Sequence, residues 1–80
     1  MEDKIKLIWD FRGPVAKHTA IHHEIHLKEY ALAKKLELQI TGTTYVNEMH
    51  SIAFLVVLKK DMIALRDALK PHRGQLYIEE

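Results

Sequence analysis

The sequence predicts an α+β domain in which the elements follow one another as strand, helix, strand, strand, helix and strand. Three observations support this class: apolar residues alternate at 4–11, residues 15–36 are rich in Ala, Leu, Lys and Glu without Gly or Pro, and residues 50–58 are almost continuously apolar. With 80 residues, the chain has room for one domain, which we expect to span residues 1–80.

The other elements are predicted from local signals. A second strand is expected at 38–46, with Gly42 as the site of a bulge or a close backbone approach. Asn47 begins a hairpin turn, Asp61 is a candidate cap for a helix at 62–70, and Pro71 ends that helix. A last strand follows at 74–80. In the first strand the large apolar residues share one face: Ile5, Leu7, Trp9 and Phe11.

In element order and length, nearly the whole chain resembles the ferredoxin-like, or split βαβ, superfamily, including its small dimeric α/β-barrel members. The resemblance implies a four-stranded antiparallel sheet in the order 4-1-3-2, with both helices on one face. The first and third strands, which are the most apolar, would then be central. No motif specific to one family accompanies the resemblance, so it implies a topology and little about function.

That topology brings polar residues from distant segments to one pole of the sheet. The first strand ends there, the first helix and the third strand begin there, and the loop before the last strand lies there. The residues expected at this pole are Asp10, Arg12, His18, His22, Glu48, His50, His72 and Arg73.

Histidines at helical spacing make this pole a candidate metal site. His18, His22 and His26 follow one another at intervals of four residues, so neighbours lie one helical turn apart and can direct ring nitrogens at one Zn, Ni or Cu ion. The topology offers His50 as a further ligand. The predicted metal set is therefore His18, His22, His26 and His50, and the alternative is that these histidines are satisfied core or groove residues.

A helical wheel assigns faces to the first helix. It directs His22 and His26 toward the sheet or its margin. On the opposite side it shows a charged stripe that we expect to face water, consisting of Lys17, Glu24, Lys28 and Lys35.

A small anionic ligand is the main alternative to a metal ion. The turn 12–14 leads into the N-terminal end of a helix, where a carboxylate or phosphate is favoured, and the last loop adds further cationic groups. The predicted ligand-binding residues are Asp10, Arg12, Glu48, His72 and Arg73. A histidine beside Asp10 or Glu48 could also accept a proton, but no nucleophile elbow or oxyanion loop is present. We therefore name no catalytic residue and expect a binding or accessory domain.

Composition excludes several other classes. Twelve basic and eleven acidic residues leave a formal charge of +1, which gives no electrostatic reason to expect nucleic acid or a membrane as a partner. The chain has no cysteine, so disulfides and thiolate metal sites are excluded. Residues 1–6 carry four charges and do not resemble a secretory signal, so a soluble, cytoplasmic protein is expected.

If both helices cover one face of the sheet, the other face is uncovered. That face would carry Ile8 and one of two apolar sets of the third strand: Ile52, Phe54 and Val56, or Ala53, Leu55 and Val57. Such a patch usually marks an interface, so we predict a homodimer through the open sheet face or through a sheet edge. On this prediction Leu55→Lys or Val57→Lys disrupts the dimer. A structural or regulatory homodimerisation module without a ligand is the corresponding functional alternative.

Overall fold

The computed structural model describes residues 3–78, which form a four-stranded antiparallel sheet and two α-helices. The elements are β1 (Lys4–Arg12), α1 (Ala16–Ala33), β2 (Ile40–Asn47), β3 (His50–Leu58), α2 (Met62–Leu69) and β4 (Arg73–Tyr77), with a 3₁₀ turn at Lys59–Asp61. The sheet order is β2-β3-β1-β4, which is the expected order 4-1-3-2 read from the other edge. The α+β class, the order of the elements and the central position of β1 and β3 are confirmed.

One core cluster joins both helices to one face of the sheet. The sheet contributes Leu7, Trp9, Ala53, Leu55 and Val57, and the helices contribute Ala20, Leu27, Ala31 and Leu65. Ile5 and Phe11 pack against this cluster, so the predicted inward face of the first strand is confirmed.

The face of α1 that packs on the sheet differs from the prediction. His22 and His26 are exposed, whereas Glu24 is half-buried and accepts a hydrogen bond from Thr41 Oγ1 at 3.1 Å. Of the predicted charged stripe, Lys17, Lys28 and Lys35 are exposed as expected. The prediction for the two histidines and for Glu24 was wrong because side-chain size, and not charge, selects the packing face. Small residues let the helix backbone lie close to the sheet, and one carboxylate is tolerated at the margin where β2 supplies a donor. The buried residues of α1 are Ala16, Ala20, Leu27 and Ala31.

The second face of the sheet carries Ile8 and the first of the two candidate sets from β3. Ile8, Ile52 and Val56 are 1%, 7% and 0% exposed in the single chain, so neighbouring side chains already cover most of this apolar surface. Leu55 and Val57 lie on the helix side. A lysine at either position therefore perturbs the core, and those two substitutions do not report on a dimer. A homodimer through the open face stays a prediction.

A ring lies across Gly42 on this second face. Gly42 and Phe54 are partners in the β2–β3 ladder, and a Cβ atom built on Gly42 would lie 2.6 Å from Phe54 Cζ. Lys6 also contacts this ring, with its Nζ 4.2 Å from the ring centroid. The close approach predicted at Gly42 is confirmed, while the ladder irregularity lies between Tyr45 and Asn47.

Several predicted boundaries differ from the structure by a few residues. Helix α1 ends at Ala33 and β2 begins at Ile40, because residues 34–39 turn back toward the sheet. Asp61 makes no side-chain capping bond to α2. The last strand begins at Arg73, and the predicted strand residues 79 and 80 lie outside the described residues.

Candidate functional site

Polar side chains from three strands and one loop meet around Asp10. Asp10 Oδ1 lies 2.8 Å from His50 Nε2. Arg73 donates to both carboxylate oxygens, from Nε to Oδ2 at 2.9 Å and from Nη2 to Oδ1 at 3.2 Å. The backbone N–H of Asp10 donates to His72 Nδ1 at 2.8 Å. The structure thus brings together Asp10, His50, His72 and Arg73, as expected from chain direction.

The charge of Asp10 is satisfied within this cluster. The hydrogen bonds from Arg73 and, to a smaller extent, from His50 lower the pKa of Asp10 to about 2, although partial burial acts in the opposite direction. The same contact raises the pKa of Arg73. Arg73 and His50 therefore share the carboxylate of Asp10 as a common partner. The cluster acts as a clamp that joins β1, β3 and β4.

The four predicted metal ligands are not brought together. His18, His22 and His26 are exposed on α1, which packs on one face of the sheet. His50 lies on the other face, hydrogen-bonded to Asp10. Within residues 3–78 no group of three or more His, Asp or Glu side chains is arranged to hold a metal ion. The geometry therefore gives the metal prediction no support.

The predicted anion-binding residues separate into two groups. Asp10, His72 and Arg73 meet at the pole. Arg12 is exposed at the end of β1, opposite His50 in the ladder, and Glu48 is exposed in the β2–β3 turn. The turn after β1 is held to this hairpin because Gly13, at φ 112°, donates its N–H to the carbonyl of Met49 at 2.8 Å.

A groove of about 460 Å³ opens between α2 and β4 on the helix side of the sheet. Leu7 faces Gly74 across the β1–β4 ladder, and the missing side chain at Gly74 leaves the floor open beside Leu7. The apolar lining residues are Ile5, Leu7, Met62, Pro71 and Leu76, and the polar ones are Arg66, His72, Arg73 and Gln75.

Hydrogen bonds fix the end of the groove that lies near the last turn of α2 and His72. Trp9 Nε1 donates to the carbonyl of Leu69 at 3.1 Å, which holds the last turn of α2 against β1. The His72 N–H donates to the carbonyl of Ile8 at 2.9 Å, and the His72 ring accepts from Asp10 through Nδ1. In the neutral ring the proton is therefore on Nε2. His72 is also a lining residue of the groove, so its ring can supply an N–H donor there.

Protein-family models, curated proteins and solved structures yield no significant match to this chain. Neither helix in the described part of the chain is long and apolar enough to cross a membrane. The function must therefore be inferred from the geometry of the site.

The ring of His23 is packed beside the pole. Its centroid lies 4.9 Å from that of Trp9 and 5.4 Å from that of Phe11. Its Nε2 atom is buried and has no hydrogen-bond partner among residues 3–78. Burial, and to a smaller extent the charges of His26 and His72, lower the pKa of His23. The histidine that faces the sheet is thus one that the sequence analysis assigned to neither the metal set nor the ligand set.

The sequence analysis also missed most residues of the groove. Of the polar lining residues, only His72 and Arg73 were predicted as ligand-binding, and no role was predicted for Arg66 or Leu76. One feature of the sequence indicated the groove. The short last strand contains Gly74, which has no side chain and lies opposite Leu7 of the central strand β1.

Proposed function

We propose that the groove between α2 and β4 binds a small amphipathic carboxylate. Its apolar tail lies over Ile5, Met62 and Leu76, and its carboxylate lies near Arg66 and His72. The observation that carries this proposal is an open apolar floor flanked by an imidazole donor and a guanidinium.

The apolar floor supports binding of a tail of several carbons. A volume of about 460 Å³ is within the usual range for small-molecule sites. Leu76 is 55% exposed, so a ligand tail would remove apolar surface of both partners from water. Each buried methylene contributes about 0.8 kcal/mol, so tail length should control affinity.

The polar groups favour an anionic head. The Nε of Arg66 lies 3.6 Å from Asp67 Oδ1, and both side chains are more than half exposed, so this ion pair is weak and leaves the guanidinium able to bind a carboxylate. Arg73 is different, because Asp10 already binds its guanidinium. We therefore assign recognition of the head to Arg66 and His72.

Three probes separate the contributions of tail and head. Octanoate has both, octanol has a similar tail without the charge, and acetate has the head alone. Amide NMR titration of the wild-type protein should show octanoate binding more tightly than either of the others. The largest shifts are expected at 62–66 and 71–76. Equal affinity for octanoate and octanol, or octanoate shifts centred outside these segments, contradicts the proposal.

A charge-removing variant tests the head directly. Arg66→Gln should weaken octanoate binding by about threefold to tenfold, which is the effect of a partly exposed charged hydrogen bond, and should leave octanol binding unchanged. Arg12→Gln is the matched control, since Arg12 is also exposed but is not a groove residue. A similar loss of octanoate affinity in both variants would show that binding depends on the net charge of the protein and not on Arg66.

We infer that the chain adopts the ferredoxin-like arrangement, because residues of both helices join one cluster on one side of an antiparallel sheet in the order β2-β3-β1-β4. In that arrangement the short α2 leaves the face of β4 partly uncovered, which is where the groove lies.

A further inference from the structure

We propose that the outer face of α1 is a homodimer interface, on which the α1 helix of a second copy packs antiparallel. This surface lies about 120° around the α1 axis from the buried alanine face and is separate from the groove.

The outer face carries an apolar seam, defined here as Ile21, Ile25, Lys28 and Leu32. The intervals of four, three and four residues are the a/d spacing of a helix that packs against another helix. Ile21, Ile25 and Leu32 are 39%, 47% and 64% exposed. A surface helix that packs on one side needs one apolar stripe. Helix α1 has two, and its own sheet covers only the alanine stripe.

Lys28 is compatible with a place in the seam. Its Nζ lies 3.5 Å from Glu24 Oε2 on the side of the helix toward β2, so its charged end is directed away from the centre of the seam. The aliphatic stem can then cover a neighbouring apolar side chain. In an antiparallel pair each Ile25 lies beside Lys28 of the other copy, and each Ile21 lies beside Leu32.

Complementary polar groups support a second copy in the antiparallel orientation as the partner. His18, His22 and Glu29 are exposed along one flank of the seam. Antiparallel packing places each Glu29 beside His22 of the other copy, and symmetry repeats the contact. Parallel packing would instead place each Glu29 beside Glu24 of the other copy, which is a contact between like charges. In this arrangement the His22 imidazole of each copy can donate a hydrogen bond to the Glu29 carboxylate of the other copy.

The proposed interface is small. An 18-residue helix is about 27 Å long, so two such helices bury less surface than a standard stable complex. The dimer is therefore expected to be weak. Sedimentation equilibrium from about 10 µM to about 1 mM covers the relevant affinity range. A wild-type protein that stays monomeric over this whole range overturns the proposal.

Two substitutions should change the dimer affinity in opposite directions. Ile25→Lys puts a charge at the centre of the seam and should weaken association at least about tenfold, whereas Lys28→Leu completes the apolar seam and should strengthen it by about tenfold. Ile63→Lys is the matched control, because Ile63 is a comparably exposed isoleucine on α2, at 59%. Disruption by Ile63→Lys in place of Ile25→Lys, or no gain from Lys28→Leu, overturns the proposal.

Charge exchange and a spin label test the orientation. His22→Glu should weaken the dimer, and adding Glu29→Lys should restore it, because the two positions meet only between antiparallel copies. The chain has no cysteine, so a spin label on Lys17→Cys is unique. In a mixed sample, this label should broaden amide signals near residue 36 of the isotope-labelled copy. Broadening near residue 17 would indicate parallel packing and contradict the proposal.

Discussion

The ring of His23 lies 4.9 Å from the ring of Trp9, and its Nε2 atom is buried with no hydrogen-bond partner in the described residues. A buried polar atom without a partner costs about 1 to 3 kcal/mol. Protonation of the ring adds a buried charge, which is why burial lowers the pKa of His23. Protonation of this buried imidazole in acid should therefore destabilise the fold.

His23→Phe should make the protein more resistant to mild acid. The unfolded chain takes up a proton on this ring near the ordinary histidine pKa of 6.5, whereas the folded chain resists it. The free energy of unfolding is therefore highest above that pH, and it decreases as the pH falls toward the lowered pKa of His23 in the folded state. Urea unfolding between about pH 8 and pH 5 should show that the advantage of His23→Phe over wild type grows as the pH falls.

His26→Gln is the control for that experiment, since His26 is exposed and its charge is one of those that face His23. It should change the pH dependence much less. Parallel stability profiles of wild type and His23→Phe over this range would contradict the burial of the ring.

Asp10→Asn should destabilise the protein at neutral pH by about 1 to 2 kcal/mol. The folded pKa of about 2 lies below the ordinary aspartate pKa of 3.8, so the ionised carboxylate contributes stability that is complete above about pH 5 and is lost as the pH falls through the folded pKa. The difference between wild type and Asp10→Asn should therefore shrink between about pH 5 and pH 3. Asp67→Asn, at an exposed pair, should have little effect. A pH-independent difference for Asp10→Asn would show that the clamp is not electrostatic.

Gly42→Val should destabilise the fold by about 1 to 3 kcal/mol, because a Cβ atom would lie 2.6 Å from Phe54 Cζ and the ring must move. In Gly42→Val combined with Phe54→Leu, the loss should be smaller than the sum of the two single losses. Thr44→Val, at an exposed position on the same strand and face, is the control. Additive losses in the double variant would mean that the ring does not lie across Gly42.

Zinc titration should separate His50 from the histidines of α1. Any ion held by neighbouring pairs on α1 will shift the ring signals of His18, His22 or His26 in NMR spectra. His50 should remain unchanged, because its ring lies on the other face of the sheet and is hydrogen-bonded to Asp10. Saturation of His50 together with the α1 histidines at one metal concentration would contradict the described geometry and support the four-ligand site.

Much of the architecture could be predicted from periodicity and chain direction. The alternation in β1 assigned Leu7 and Trp9 to the core, and an apolar stretch with both faces buried identified β3 as a central strand. Because antiparallel strands reverse direction at each turn, the same reasoning placed His50 and His72 near Asp10. These inferences depend on the period and order of the elements, which a single sequence contains.

The remaining features depend on how elements fit together. Helix α1 has two apolar faces, so its wheel could not show which one the sheet covers, and the alanines decide this by permitting close approach. The groove depends on the end of α2 held by Trp9 and on Gly74 facing Leu7. Neither relationship has a periodic signal, since each joins residues that are distant in sequence.

Intermolecular NOEs between octanoate and the protein test ligand binding in the groove most directly. Binding as proposed predicts NOEs from the terminal methyl group of octanoate to the Met62 methyl group and to Leu76, with none to Ile21 or Ile25. NOEs confined to the outer face of α1, or octanoate that binds without contacts to Met62 and Leu76, would contradict it.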